Sequence, residues 1–189
     1  MKGWGLSMEK YTLVIEVDFN EIKAILKDEN GEGKATSKKE ITKFHSEQGW
    51  IEVDANEIWI TTMYVIMNLM KNFSINPENI CEIGIKSTEE TLVIWERTTG
   101  LPIYHAVFET PQCTFGKTAD WILEHAKGLK ENTEKERIIF GTVDLWIAYR
   151  LTGEGVLKSE PMMDNEKNKV YGCTDPIHFL GMEIPVVKV

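Results

Sequence analysis

The chain has 189 residues, a formal net charge of −9, 42% apolar residues and 27% charged residues, which suits one domain with a sizeable core. The negative charge argues against nucleic acid as a partner. The densest basic stretch, residues 34–43, also contains glutamate and threonine. This mixture predicts a strand whose charged face is exposed to solvent. No apolar run is long enough for a bilayer, and the N-terminus lacks an apolar signal segment, so no membrane association is expected.

The cysteine and histidine content is low and dispersed. Cys81, Cys113 and Cys173 lie far apart and are odd in number, which indicates free thiols in a reducing compartment. The four histidines are equally scattered. We therefore expect neither a disulfide framework nor a metal site, and a cytoplasmic location.

The first third of the chain reads as a strand meander after an N-terminal extension. Residues 1–10 carry no pattern, so we place the domain at residues 11–189. Residues 11–18 are β-branched and apolar, and residues 21–28 alternate, which predicts two strands. A turn cluster at 28–33 leads into a third extended segment that reaches about residue 42. Three strands joined by tight turns predict an antiparallel meander.

A helix is predicted to begin at Asp54, which supplies an N-cap with Glu57 three residues later. Apolar residues recur from Ile58 to Phe73 at helical spacing, and the Asn76-Pro77 pair ends the pattern.

A second group of strands is predicted at residues 80–85, 92–95 and 103–108. Two further helices are predicted: residues 118–126, with Trp121, Ile122 and His125 facing inward, and a helix from a Thr142 cap to a stop at Gly153. The polar residues 154–169 are expected to form a mobile loop. The strand-first order predicts an α/β or α+β domain and disfavours a doubly wound nucleotide fold.

Two short motifs are better explained by local structure. Residues 116–118 read Gly-Lys-Thr, but Pro111 stands where a P-loop needs its first glycine, and a helix N-cap at Thr118 accounts for the pattern. Residues 28–33 match the start of a calcium loop, but Lys39 stands at its twelfth position.

Four longer strings occur in a recognisable order. They are GWIEVD and EIW at residues 49–59, the segment 84–104, FGTVDLW with LTG at residues 140–153, and the segment 170–185 that contains VYG, TDP and EIP. Together they resemble the glycerol kinases of the FGGY carbohydrate kinase family. The resemblance implies an α/β, ribonuclease H-like fold of the actin–hexokinase superfamily, with a mixed sheet flanked by helices. It also implies ATP-dependent phosphorylation of glycerol, with ATP and Mg as cofactors of the intact family.

The spacing of these strings indicates missing segments. A few tens of residues have no counterpart after Ala106, and a second block is missing near residues 154–169. The chain ends before the family's Gly-Asp-Gln, so the aspartate expected as general base lies beyond Val189. We therefore expect a truncated N-terminal domain without the nucleotide-binding domain, without a catalytic residue and without a cofactor of its own.

The first hairpin departs from the resemblance. The family's DQGTTSSR, which wraps phosphate oxygens and helps to hold the metal ion, falls on residues 16–23, EVDFNEIK. Glu16 keeps a carboxylate and Lys23 keeps a cation, but Asp18, Phe19 and Asn20 replace small or hydroxyl residues. Asp18 and Glu21 add negative charge, so we expect a charged β-hairpin that does not bind phosphate.

The resemblance places substrate contacts at Glu89 and Glu90. Glu90 matches the family's glutamate, whereas Glu89 replaces an arginine that would donate hydrogen bonds to glycerol. A pair of adjacent carboxylates on a strand would point to opposite faces. We expect at most weak glycerol binding.

Four interpretations remain open. The chain is a degenerate domain that is inactive alone, or half of a split kinase that a partner chain completes. It is otherwise a binding or regulatory module, either a homo-oligomer or bound to a partner kinase chain, or its deletions prevent folding.

Overall fold

The strands assemble into two five-stranded sheets and one separate hairpin in the computed structural model, which describes residues 9–87, 91–108, 115–125, 138–152, 177–179, 182–184 and 186–188. The strands are β1 (Tyr11–Val17), β2 (Glu21–Lys27), β3 (Gly33–Glu40), β4 (Lys43–His45), β5 (Ile51–Val53), β6 (Ile80–Ser87), β7 (Thr91–Glu96), β8 (Ala106–Phe108), β9 (Ile138–Thr142), β10 (Ile177–Phe179), β11 (Met182–Ile184) and β12 (Val186–Lys188). The helices are α1 (Ala55–Asn72), α2 (Phe115–His125) and α3 (Val143–Thr152), with a 3-10 turn at Pro77–Asn79.

The first sheet has the strand order β12-β6-β1-β2-β3. β1, β2 and β3 form the predicted antiparallel meander, while β6 runs parallel to both β1 and β12. The sheet is therefore mixed, as predicted. The second sheet has the order β4-β5-β8-β7-β9 and is antiparallel throughout, and β10 pairs with β11 alone.

Helix α1 begins where the sequence indicates. The Asp54 side chain accepts a hydrogen bond from the backbone N–H of Asn56, and eight α1 residues are buried. Glu57 does not complete a capping box. Its carboxylate accepts hydrogen bonds from the backbone N–H and the hydroxyl of Thr42, at 3.0 and 3.1 Å, and so ties the end of the meander to the helix.

The main core lies between the two sheets and is closed by α1 and α3. Trp95, Trp146 and Phe108 are its largest fully buried side chains. A smaller cluster, which includes Trp50 and Ile122, lies on the other face of the second sheet beneath α2. The second sheet is therefore covered on both faces.

The turn between β7 and β8 is fixed by α3. Gly100 has φ +66°, and its carbonyl oxygen accepts hydrogen bonds from Trp146 Nε1 at 3.0 Å and from the Arg150 guanidinium at 3.3 Å. The same guanidinium lies 4.5 Å from the ring centroid of Trp59 on α1. Arg150 thus links α1, α3 and the turn.

Three sequence predictions are wrong in detail. Thr118 does not cap α2, because the helix begins at Phe115 and Thr118 is buried inside it. His125 is exposed and stacks on Trp121, with the ring centroids 4.5 Å apart. β8 begins at Ala106 instead of residue 103, because the chain bends after Pro102. The loop predicted at 154–169 and the helix stop at Gly153 lie outside the described residues.

Candidate functional site

The turn between β1 and β2 is closed by its own polar groups. The backbone N–H of Asp18 donates to the carbonyl oxygen of Glu21 at 3.0 Å. Asp18 Oδ1 accepts from the backbone N–H of Asn20 at 2.9 Å, which is the local bond that aspartate makes in tight turns. A carboxylate oxygen of Asp18 and a backbone amide of the hairpin are therefore used within the turn itself.

The other carboxylates of the hairpin are neutralised by lysines. Glu16 on β1 forms an ion pair of 2.8 Å with Lys86, its register partner on β6. Glu21 forms ion pairs with Lys23 at 2.9 Å and with Lys38 at 3.1 Å. Hydrogen bonds from Lys23 and then Lys38 lower the pKa of Glu21. The charged β-hairpin therefore has its carboxylates paired with cations from β2, β3 and β6.

Phe19 connects the hairpin to the second sheet. Its ring meets the ring of Phe108 on β8 edge-on, with the centroids 5.7 Å apart and the planes at 80°. The ammonium of Lys43 lies over the Phe19 ring at 3.8 Å from its centroid, a distance at which a cation is attracted to the ring face.

Lys43 also holds the neighbouring residue of the turn. Its Nζ donates to Asn20 Oδ1 at 2.6 Å, and the carbonyl oxygen of Asn20 accepts from the backbone N–H of Ile41 at 3.0 Å. The hairpin tip is thereby bound to the segment that joins β3 and β4.

This arrangement differs from a loop that cradles phosphate. Phosphate cradles depend on small residues, so that several backbone N–H groups can approach the oxygens. Here the aromatic ring of Phe19 stands at the tip, and Asp18 and Asn20 make the hydrogen bonds described above. The described side chains of the hairpin join the two sheets, and among them none converge on an anion site.

The two substrate positions expected from the sequence, Glu89 and Glu90, lie outside the described residues. Their surroundings are partly visible, because β6 ends at Ser87 and β7 starts at Thr91. Ser87 is the register partner of Val17 at the end of β1, and Thr91 is the partner of Phe108. The strand ends that flank these positions are therefore near the hairpin.

A second polar cluster was not found from the sequence. Glu52 on β5 is only 1% exposed, and its carboxylate lies 2.9 Å from His105 Nδ1 and 3.4 Å from the hydroxyl of Tyr104. Burial, followed by the negative charge of Glu52, raises the pKa of Tyr104 to about 12. The one available signal was the charged Glu52 inside the otherwise apolar strand Ile51–Val53.

The calcium-loop pattern at residues 28–33 has a local role. Asp28 Oδ1 accepts from the backbone N–H groups of Asn30 and Glu32, and Asp28 Oδ2 pairs with Lys34 at 2.9 Å. Within the described ranges no group of three potential metal ligands occurs. Nor does any described helix combine the length and apolar character needed to cross a membrane.

Comparison with known proteins identifies the family. The model for the N-terminal domain of FGGY carbohydrate kinases matches residues 11–118. This chain belongs to the FGGY family of carbohydrate kinases. Among curated relatives, the glycerol kinase of Staphylococcus epidermidis is 30% identical over 241 aligned positions, which cover 96% of this chain and 48% of the relative.

The chain thus spans about half the length of the curated relatives that it matches. The alignment is longer than the 189-residue chain, so the relative contains segments without a counterpart here. The spacing of the four strings likewise indicates that segments present in the relatives are missing from this chain.

Solved structures show the same fold. The glycerol kinase of Plasmodium falciparum, solved with ADP, superposes with a TM-score of 0.59 at 20% identity, over 76% of this chain and 34% of that one. A xylulose kinase from Rhodospirillum rubrum gives a TM-score of 0.63 at 15% identity, over 78% and 35%. The ribonuclease H-like prediction is confirmed.

Proposed function

We propose that this chain is a glycerol kinase-like domain that does not transfer phosphate by itself. The observation that carries the proposal is the closed hairpin tip, in which Lys43 holds both the ring of Phe19 and the amide of Asn20. Opening this tip for a nucleotide would break the Lys43 contacts and expose the Phe19 ring. The bound phosphate would also face the carboxylate of Asp18.

The family context gives the proposal its substrate class. The curated relatives are named glycerol kinases, so glycerol is the alcohol to test, with ATP and Mg²⁺ as the phosphate donor and its metal ion. In the hairpin of the glycerol kinases that this sequence resembles, small residues and hydroxyls surround the phosphates. In this chain the corresponding positions form a bridge between two sheets, which suits a structural role.

A coupled spectrophotometric assay tests the proposal. The purified chain is supplied with glycerol, ATP and Mg²⁺, and ADP production is followed against a protein-free blank and a glycerol-free blank. We expect the three rates to agree. A glycerol-dependent rate that scales with the concentration of the chain would contradict the proposal.

A second candidate function is half of a split kinase, because the matching family model is that of the N-terminal domain alone. In that case a separate chain would supply the general base and the nucleotide-binding domain. The closed hairpin argues against it, because the nucleotide would still need the positions that Phe19 and Asn20 occupy. Isothermal titration of the chain with a second polypeptide that carries the missing half, with and without ATP, separates the two candidates.

A further inference from the structure

A row of charged side chains crosses the first sheet at the level of the β1–β2 hairpin. Lys86 on β6 is the register partner of Glu16 on β1, and Glu16 is in turn the partner of Lys23 on β2. Lys23 is the partner of Lys38 on β3. Register partners point to the same face of a sheet, so the four charges lie side by side. The one carboxylate in the row, that of Glu16, therefore has a lysine on each neighbouring strand.

The ion pair between Glu16 and Lys86 is the closest of these contacts. Glu16 Oε1 lies 2.8 Å from Lys86 Nζ, and the two side chains are 18% and 37% exposed. Lys23 and Lys38, in contrast, pair with Glu21 at 2.9 and 3.1 Å. A carboxylate that is largely withdrawn from water needs a compensating positive charge. Lys86 supplies that charge to Glu16.

The resemblance implies a metal ion beside this hairpin, and the residues present can be tested against it. A divalent ion such as Mg²⁺ binds carboxylate oxygens at about 2.0–2.1 Å and needs several oxygen ligands. Here an ammonium already lies against Glu16 Oε1 and would repel a second cation at the same carboxylate. Asp18 Oδ1 accepts the backbone N–H of Asn20. The described groups of the hairpin therefore do not fit a metal ion.

We propose that the ammonium of Lys86 is a built-in cation that takes the place of a divalent metal ion at Glu16. The parallel pairing of β6 with β1 carries this charge to the carboxylate, so it is present at every metal concentration. The inference concerns the metal ion and does not involve the contacts of Phe19 and Asn20, which carry the proposed function. It can therefore be tested without a nucleotide.

An ordinary surface ion pair would behave differently in one measurable respect. If Lys86 did no more than stabilise the sheet, a neutral residue at position 86 would change the stability and leave divalent cations unbound. If Lys86 fills the position of a cation, its removal opens that position. The affinity for a divalent ion then rises, because one repelling charge is removed from beside the carboxylate of Glu16.

A titration of the full chain with Mn²⁺, without nucleotide, is the primary measurement. Electron paramagnetic resonance counts the free ion, and paramagnetic broadening of the amide signals of residues 16–18 shows whether the ion is bound at the hairpin. We expect the wild type to show no broadening there at millimolar Mn²⁺. We expect Lys86→Gln to bind Mn²⁺ at the hairpin about tenfold more tightly than the wild type, or more.

Two further variants locate the site and separate the charge from the shape of the side chain. The double variant Glu16→Gln/Lys86→Gln should lose the gained affinity, because the carboxylate that receives the ion is gone. Lys86→Arg keeps the positive charge and should bind no more Mn²⁺ than the wild type. Circular dichroism melting checks that each variant is folded, and Lys86→Thr, which suits a strand, replaces Lys86→Gln if that variant does not fold.

The matched control is Lys39→Gln, which removes the same charge from the same sheet. Lys39 is the register partner of Ile22 and not of Lys23, and its ammonium lies 4.8 Å from the ring centroid of Tyr64. This variant should bind Mn²⁺ as the wild type does, which excludes a general effect of net charge.

Three results would overturn the proposal. They are broadening at residues 16–18 in the wild type, an affinity of Lys86→Gln equal to that of the wild type, and a gain that persists in the double variant. Each can occur whether or not the chain produces ADP in the coupled assay, so a failure of this inference is distinguishable from a failure of the proposed function.

Discussion

The rings of Phe19 and Phe108 pack in a T-shaped arrangement, with centroids 5.7 Å apart and planes at 80°. The contact joins the β1–β2 hairpin of the first sheet to β8 of the second. It places a bulky apolar side chain at a tip where the resembling family has a small hydroxyl residue. Phe19 therefore contributes to the stability of the domain and is also a residue on which the proposed lack of phosphate binding depends.

The first prediction concerns Phe19. Phe19→Ala removes the contact with Phe108 and the surface on which Lys43 rests, so we expect the free energy of unfolding to fall by about 1–3 kcal/mol, less than for a fully buried phenylalanine. Urea denaturation followed by fluorescence measures the loss. Phe44→Ala is the control, because Phe44 is 38% exposed and should cost less than about 1 kcal/mol. A larger loss for Phe44→Ala than for Phe19→Ala would contradict the assignment.

The second prediction compares two glycines that both have positive φ. At Gly100 (φ +66°) an added Cβ would lie 2.9 Å from Arg150 Cδ and 3.0 Å from Tyr149 Cε1, whereas at Gly31 (φ +79°) nothing lies within 4 Å. Gly31→Ala should therefore cost about 1–2 kcal/mol, the backbone term alone. Gly100→Ala should cost more, because the side chains of Arg150 and Tyr149 must also shift. Thermal denaturation of both variants tests this ranking, and equal losses would refute it.

The third prediction concerns the ionisation of Tyr104. Burial and the nearby charge of Glu52 raise the pKa of Tyr104 to about 12. Because the neutral form is favoured in the folded state, this contribution to stability is complete below pH 10 and is lost as the pH rises from 10 to 12. Glu52→Gln removes the charge and should lower the pKa towards the ordinary value, while the part due to burial remains.

Ultraviolet difference titration at alkaline pH measures this change. The chain has five tyrosines, so the spectrum of Tyr104→Phe is subtracted to isolate the signal of Tyr104. An unchanged titration in Glu52→Gln would show that the carboxylate does not act on this phenol.

The fourth prediction concerns acid stability. Hydrogen bonds, first from Thr99 and then from Thr98, lower the pKa of Glu96 from 4.5 to about 2, and the backbone N–H of Thr99 donates to Glu96 Oε2 at 2.7 Å. A lowered pKa stabilises the fold above pH 4.5, and this stabilisation is lost as the pH falls towards 2. The stability difference between the wild type and Glu96→Gln should therefore shrink over that range in urea titrations. A difference that is constant between pH 6 and pH 2 would contradict this prediction.

Much of the fold could be predicted from the sequence where the pattern is local and long. The alternation in residues 21–28 predicts β2 close to its observed bounds, and the cap at Asp54 predicts the start of α1. The strand pairs β4–β5 and β8–β5 could not be predicted, because each of these strands has three residues and too few positions to show alternation. His125 was misplaced because it is the last residue of α2, where the helical period no longer determines burial.

The candidate site was predicted less completely. The resemblance located the residues of the hairpin and singled out Asp18 and Phe19 as departures from the family's pattern. The partners that neutralise and close the hairpin could not be predicted, because Lys43 and Lys86 come from distant positions in the chain. Their contacts depend on strand register, and a single sequence does not specify which lysine faces which carboxylate.

The closed hairpin can be tested most directly by complementation. The chain is mixed with the C-terminal half of the Staphylococcus epidermidis glycerol kinase, and glycerol-dependent ADP production is measured in the presence of ATP and Mg²⁺. The N-terminal half of the same relative, mixed with the same partner, is the positive control. We expect turnover in the control and none above the blank for this chain. Turnover by the mixture that contains this chain would contradict the account, because it would show that Phe19 and Asn20 still allow a phosphate to bind.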